Sequence, residues 1–138
     1  MSRPTDLDRT FATIPLLNDL PRDCRTRVML EVREWHAPAG AVVFDVGDPC
    51  EHVALTSEGA IRVSKPIANG QDILLYRLHP GEPCIMSTAS FLGHGRFSVR
   101  GVVERDVRGV ILPGQLVRQL LVTHTPFREA LFATFADR

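Results

Sequence analysis

The stretch Leu78-His79-Pro80-Gly81-Glu82-Pro83-Cys84-Ile85-Met86-Ser87-Thr88-Ala89-Ser90-Phe91-Leu92-Gly93-His94-Gly95-Arg96-Phe97-Ser98-Val99 decides how the chain is read. A glycine and a carboxylate open it at Gly81-Glu82, small residues without strand alternation fill it, and Arg96 closes it just before alternation resumes at Val99 and Val103. A guanidinium and a carboxylate set around a non-strand segment are what a pocket for a polar small molecule needs. The expectation is such a pocket laid into a β-roll, with Gly81, Glu82, Cys84, Ser87, Arg96 and Ser98 as its candidate ligand-binding residues.

On both sides of this stretch the apolar residues alternate. Val42 and Phe44, Val53 and Leu55, Ile61 and Val63, Ile73 and Leu75, Val99 and Val103, and Val107 and Ile111 each have the period of a half-buried strand. Gly47, Gly59, Gly70 and Gly81 punctuate them at intervals of 12, 11 and 11 residues. Turn signals at that pitch predict several short strands in a sandwich or roll, with Asn69-Gly70 as a type I′ hairpin turn.

Toward the N-terminus, Phe11 and Ile14-Pro15-Leu16-Leu17 predict an arm or short helix folded back onto the domain. Leu20, Cys24, Val28 and Met29 have helical spacing behind Pro21, and their charged neighbours balance as on a solvated helix face. Toward the C-terminus, Leu112, Leu116, Val117, Leu120 and Leu121 share a helical face. Thr125 and Pro126 then suit the start of a last helix, on which Phe127, Leu131 and Phe135 fall in one apolar line. One domain over 1–138 is expected: an arm and helix over 1–32, the β-roll over 33–112, and helices over 113–138. The last helix stops without a cap, so the polypeptide is expected to continue or to pair there with another chain.

Sixteen basic residues balance sixteen acidic ones, which removes any whole-chain electrostatic case for nucleic acid or membrane binding. With 44% apolar and 23% charged residues, no membrane-length apolar run and no secretory N-terminus, a cytoplasmic location is expected.

Cys24, Cys50 and Cys84 are odd in number and widely spaced, so they predict buried thiols in a reducing compartment, not a disulfide framework or a metal site. Cys84 could serve as a redox sensor if nearby amides and Arg96 lowered its pKa, but an isolated cysteine beside Ile85-Met86 fits packing better. His79, Cys84 and His94 lack ligand spacing for haem or a metal. A cupin-type enzyme would share the roll, yet His36, His52, His79, His94 and His124 include no His-x-His pair. No P-loop, nucleophile elbow or dinucleotide fingerprint is present, so no enzyme activity and no metal are expected.

Taken in order, Ile14-Pro15-Leu16-Leu17 with Leu20-Pro21, Pro38-Ala39-Gly40 through Phe44 to Gly47-Asp48, and Ser57-Glu58-Gly59-Ala60-Ile61-Arg62-Val63 form a pattern. It continues through Leu78-His79-Pro80-Gly81-Glu82, Leu112-Pro113 and Phe127-Arg128 to Phe132. The set resembles the cyclic-nucleotide-binding-like sensor domain of the Crp/Fnr family of bacterial transcription regulators. The resemblance implies a mainly β fold, a jelly-roll or double-stranded β-helix of about eight strands with flanking α-helices. It implies that Gly81-Glu82 begins the phosphate-binding cassette, with Glu82 at the ribose-binding position. It further implies a homodimer through the helix from Pro126, with Phe127, Leu131 and Phe135 as dimerisation residues. DNA would be reached only through a helix-turn-helix domain absent from this chain.

The cassette departs from the family's pattern. Arg96 lies 14 residues after Glu82 and precedes Phe97-Ser98, whereas the family's arginine lies closer and precedes a small hydroxyl residue and alanine. The effector is therefore left open, cyclic nucleotide being one candidate. A stand-alone nucleotide-binding-like or partner-binding module without a DNA role is the alternative.

Overall fold

The structure, a computed structural model, describes residues 4–136. Three helices come first: α1 (Pro4–Thr13), α2 (Pro15–Asn18) and α3 (Arg22–Glu31). Four strands follow: β1 (Arg33–Ala37), β2 (Val42–Phe44), β3 (His52–Pro66) and β4 (Asp72–Leu78). Then come α4 (Ile85–Leu92), β5 (Arg100–Pro113), α5 (Gly114–Thr123) and α6 (Thr125–Ala136). The sheet is antiparallel in the order β1-β5-β3-β4, and β2 also pairs with β5. The mainly β fold with flanking helices is thus as expected from sequence.

The strand count is not. About eight short strands were expected, but the described residues form five, because β3 and β5 run on for 15 and 14 residues. In β3, Gly59 is the reason. Read as a turn glycine, it instead sits inside β3 at φ +89°, where the register against β5 slips between Thr56 and Ile61. A left-handed residue there makes a bulge, and a bulge bends a strand without ending it. The two ends of β3 thereby serve different layers. Val53 and Leu55 pack with the helices, while Ile61 and Val63 pack inside the roll.

Two other expectations also shift. The hairpin between β3 and β4 is closed by Ile67 N–H to Gln71 O (2.8 Å) and Gly70 N–H to Ile67 O (3.1 Å). Gly70 is left-handed at φ +76° and Asn69 is not, so this is a longer loop and not a type I′ turn, which needs both central residues left-handed. In β4, the edge strand of the sheet, Ile73 and Leu75 were expected to be half-buried but are exposed, as is Leu74 between them.

The helices bury the stripes their sequences predicted. Cys24 and Val28 of α3 and Leu116, Val117 and Leu120 of α5 are buried, while Leu112 closes β5 and does not open a helix. A larger core cluster joins Phe11, Leu17, Val28, Val53, Leu55, Phe91, Leu116, Leu120, Phe127 and Leu131. A smaller one fills the roll with Ile61, Val63, Leu78, Cys84, Val99, Val103 and Val107. All three cysteines are free and buried. No described helix is long and apolar enough to cross a membrane.

Candidate ligand cavity

The segment that was expected to carry a pocket folds as α4, laid across the open side of the roll. Its first turn is held from β4 and from its own cap residue. The N–H of Met86 donates to the Tyr76 hydroxyl (3.3 Å), which lies 3.1 Å from Cys84 Sγ. The Ser87 hydroxyl donates to the same sulfur at 3.0 Å. Behind this turn, the Cys50 thiol donates to the Ser87 carbonyl at 3.4 Å. Burial pushes the Cys50 thiol up to about 11, with the Cys84 sulfur adding to the effect, so Cys50 stays protonated.

Between α4 and the roll lies a cavity of about 60 Å³. Trp35 of β1, Val43 and Phe44 of β2, and His52, Val53, Ala54, Thr56 and Ile61 of β3 form one side. Leu78, Cys84, Ser87, Thr88 and Phe97 form the other. The cavity lies where the two core clusters meet, since Val53 belongs to one and Ile61, Leu78 and Cys84 belong to the other. Val53, Thr56, Ile61, Leu78, Cys84 and Thr88 are buried and form its floor. Trp35, Phe44 and Phe97 are partly buried, with the Phe44 and Phe97 rings stacked 4.7 Å apart.

Of the six ligand-binding residues expected from sequence, only Cys84 and Ser87 line this cavity. Gly81 acts through its backbone. At φ +84° its N–H donates to Thr56 O (2.8 Å), and a Cβ there would lie 2.8 Å from Thr13 O. Glu82 folds back on its own turn, one carboxylate oxygen accepting the His79 N–H at 2.8 Å. Arg96 is exposed, its Nη1 donating to the Gly47 carbonyl at 2.9 Å. Ser98 is half-buried and stands off the cavity wall. A short α4 ending at Leu92 puts Arg96 beyond the Gly93–Gly95 turn.

Sequence reasoning missed Trp35, Phe44, His52, Thr56, Thr88 and Phe97. Thr56 and Thr88 left a trace: each stands at a buried position of an apolar pattern, Thr56 after Leu55 and Thr88 one helical turn after Cys84.

The second arginine of the region, Arg100, is taken up by carboxylates. Its Nε donates to Asp45 Oδ1 (3.0 Å) and its Nη1 to Asp72 Oδ2 (3.4 Å). The Arg100 hydrogen bond holds the Asp45 carboxyl below its ordinary range, helped by the Val46 N–H. Among the described residues no lysine or arginine lines the cavity, and no group of three His, Cys, Asp or Glu could hold a metal ion. His79 and His94 are exposed and Cys84 is buried, so the three do not form a ligand set.

His52 is the cavity's one imidazole. Burial lowers its pKa, the positive charge of Arg33 lowers it further, and Glu51 opposes them. The unfolded chain then takes up a proton near pH 6.5, before the folded chain does. Stability from neutral His52 is full above that pH and is lost as the pH falls toward the lowered folded value. Replacing His52 with glutamine is expected to flatten the dependence of the thermal midpoint on pH between about pH 7 and pH 5. An unchanged slope would assign that dependence to other groups.

The chain matches the family described as the cyclic nucleotide-binding domain over residues 34–124. No curated protein matches the sequence. Among solved structures it is similar to a transcriptional regulator described as of the Crp/Fnr family from Eubacterium rectale, at TM-score 0.79 and 21% identity over 91% of this chain and 58% of that one. The catabolite activator protein of Thermus thermophilus gives TM-score 0.75 and 24% identity over 90% of this chain and 57% of that one. The N-terminal domain of a transcriptional regulator from Streptomyces coelicolor gives 0.69 and 20%, over 94% and 91%. The chain thus spans less than three fifths of the first two.

Proposed function

Because the chain belongs to the cyclic nucleotide-binding domain family, we propose that it is the effector-sensing and dimerising part of a cytoplasmic Crp/Fnr-type transcription regulator. A small molecule bound in the roll shifts the C-terminal helix, and DNA is contacted by a part of the regulator outside this chain. The chain acts by binding and not by catalysis.

One observation carries the switching step: the cavity wall and α6 belong to the same packed core. Val53 lines the cavity, and it clusters with Phe91 of α4, Leu116 and Leu120 of α5, and Phe127 and Leu131 of α6. Close-packed interiors transmit displacement because they have little free volume to absorb it. A ligand that favours one packing of Val53 over another therefore biases where α6 sits.

The residues present do not fit a cyclic nucleotide. A guanidinium partner for its phosphate is not at hand, since the two arginines nearest the cassette donate elsewhere, Arg96 to the Gly47 carbonyl and Arg100 to Asp45 and Asp72. Glu82, the expected ribose partner, faces its own turn. The effector is accordingly assigned to another chemical class.

Coupling between cavity and helix can be tested without knowing the effector. Ala54→Leu adds side-chain volume to the cavity wall. It is expected to change hydrogen-exchange protection of the α6 amides as well as those of β3 and α4. A variant that is folded, altered around the cavity and unchanged along α6 would overturn the switching mechanism.

A further inference from the structure

Thr56 and Thr88 are 2% and 1% exposed, and each hydroxyl oxygen is buried without a hydrogen-bond partner. A buried unpaired hydroxyl is unfavourable, and folded chains hold few of them. Here both fall on the wall of one cavity, Thr56 from β3 and Thr88 from α4. Their backbones are already engaged: Thr56 O accepts from Gly81 N–H (2.8 Å), and Thr88 N–H donates to Cys84 O (2.9 Å). The side chains are what remain for a guest.

The rest of the wall defines that guest. It carries no lysine or arginine, so an anion would lose its hydration without gaining a counter-charge. Three partly buried aromatic residues, Trp35, Phe44 and Phe97, also line the cavity. The cavity holds about 60 Å³, under half of the ~150 Å³ that houses a benzene. It therefore encloses a head group and the few atoms behind it, and the aromatics hold the remainder.

We propose that the cavity binds a small neutral molecule with a flat apolar body and one hydroxyl, amide or carbonyl head. The head pairs with the Thr56 and Thr88 hydroxyls, and the body lies against Trp35 and the stacked Phe44 and Phe97. This deepens the sensing function proposed above and rests on it for its biological meaning.

Phenol and benzene serve as probes, since they differ only in the hydroxyl. In a nuclear magnetic resonance titration of the full 138-residue chain, phenol should shift the Trp35 indole, Thr56 and Thr88 signals and bind about tenfold more tightly than benzene. Thr56→Val and Thr88→Val keep side-chain shape and remove an unpaired hydroxyl, so the fold should survive both. Each should erase most of the preference for phenol and leave benzene binding unchanged.

Equal binding of phenol and benzene to the wild type would overturn the inference, and so would phenol leaving those signals in place. Cyclic AMP or cyclic GMP shifting the same signals at lower concentration would overturn the neutral ligand while leaving the sensing function standing. The Ala54→Leu exchange result decides the switching mechanism independently of either probe.

Discussion

Replacing Gly59 with alanine is expected to lower the thermal midpoint by roughly 15 °C. Gly59 is left-handed at φ +89°, and a Cβ built on it would lie 2.2 Å from the Asp106 carbonyl oxygen and 2.7 Å from that of Arg105. Both contacts are with backbone, so no side chain can swing away. Nor can β5 retreat, because its other edge carries β1, from Arg33 opposite Ile111 to Ala37 opposite Val107. Asp106 is tied down again by the Ala39 N–H, which donates to its carboxylate at 2.8 Å. Left-handed strain of about 1–3 kcal/mol and overpacking of a similar size add here to about 4 kcal/mol. The control is Gly47→Ala, since Gly47 has the same conformation at φ +88° but nothing within 4 Å of its would-be Cβ. That variant bears the strain alone and should lose only a few degrees. Thermal unfolding of the pair separates the two contributions, and equal losses would show that the clash at Gly59 relaxes.

The same glycine marks how far the sequence can be read. Alternation at Val53 and Leu55 and again at Ile61 and Val63 correctly identifies strand on both sides of Gly59. Whether the chain turns or bulges there depends on β5 lying opposite, and β5 begins at Arg100, some forty residues later. Local pattern sees the period of a strand but not its partner. Ile73 and Leu75 likewise show the period of a strand and give no sign of the face they leave exposed on β4.

The candidate site was legible in place but not in composition. The interruption between Gly81 and Val99 did lie over the roll, and Cys84 and Ser87 do reach the cavity. Sequence reasoning weighted charge, because carboxylates and guanidinium groups are the visible signs of polar ligand chemistry. Glu82 and Arg96 instead satisfy backbone groups of turns, a demand every tight turn makes and no side-chain pattern announces. The cavity wall is drawn from four strands, α4 and the loops beside it, and such a neutral surface has no linear motif.

On α6, apolar residues at a spacing of four were expected to form the dimer contact, and two of them are taken up within the chain itself. Phe127 and Leu131 are each 1% exposed and packed in the chain's own core, and the side chain of Phe135 lies outside the described residues. Their line faces α5 and α2, the helices α6 packs against, because a single stripe can be buried only once. A partner would meet the opposite face, where Phe132 is 49% exposed. Two substitutions five residues apart should therefore behave in opposite ways. Phe127→Ala is expected to cost about 3–5 kcal/mol of stability through the cavity it leaves, lowering the midpoint by over about 10 °C. Phe132→Glu should change stability by only about 0.5 kcal/mol while placing a charge where two copies would pack. In sedimentation equilibrium the wild type should show a concentration-dependent dimer, and Phe132→Glu should remain monomeric at the same concentrations with its midpoint intact. A dimer of wild-type strength in Phe132→Glu would remove this face of α6 from the interface. A wild type that stays monomeric at high concentration would remove dimerisation from this chain and leave it to the rest of the regulator.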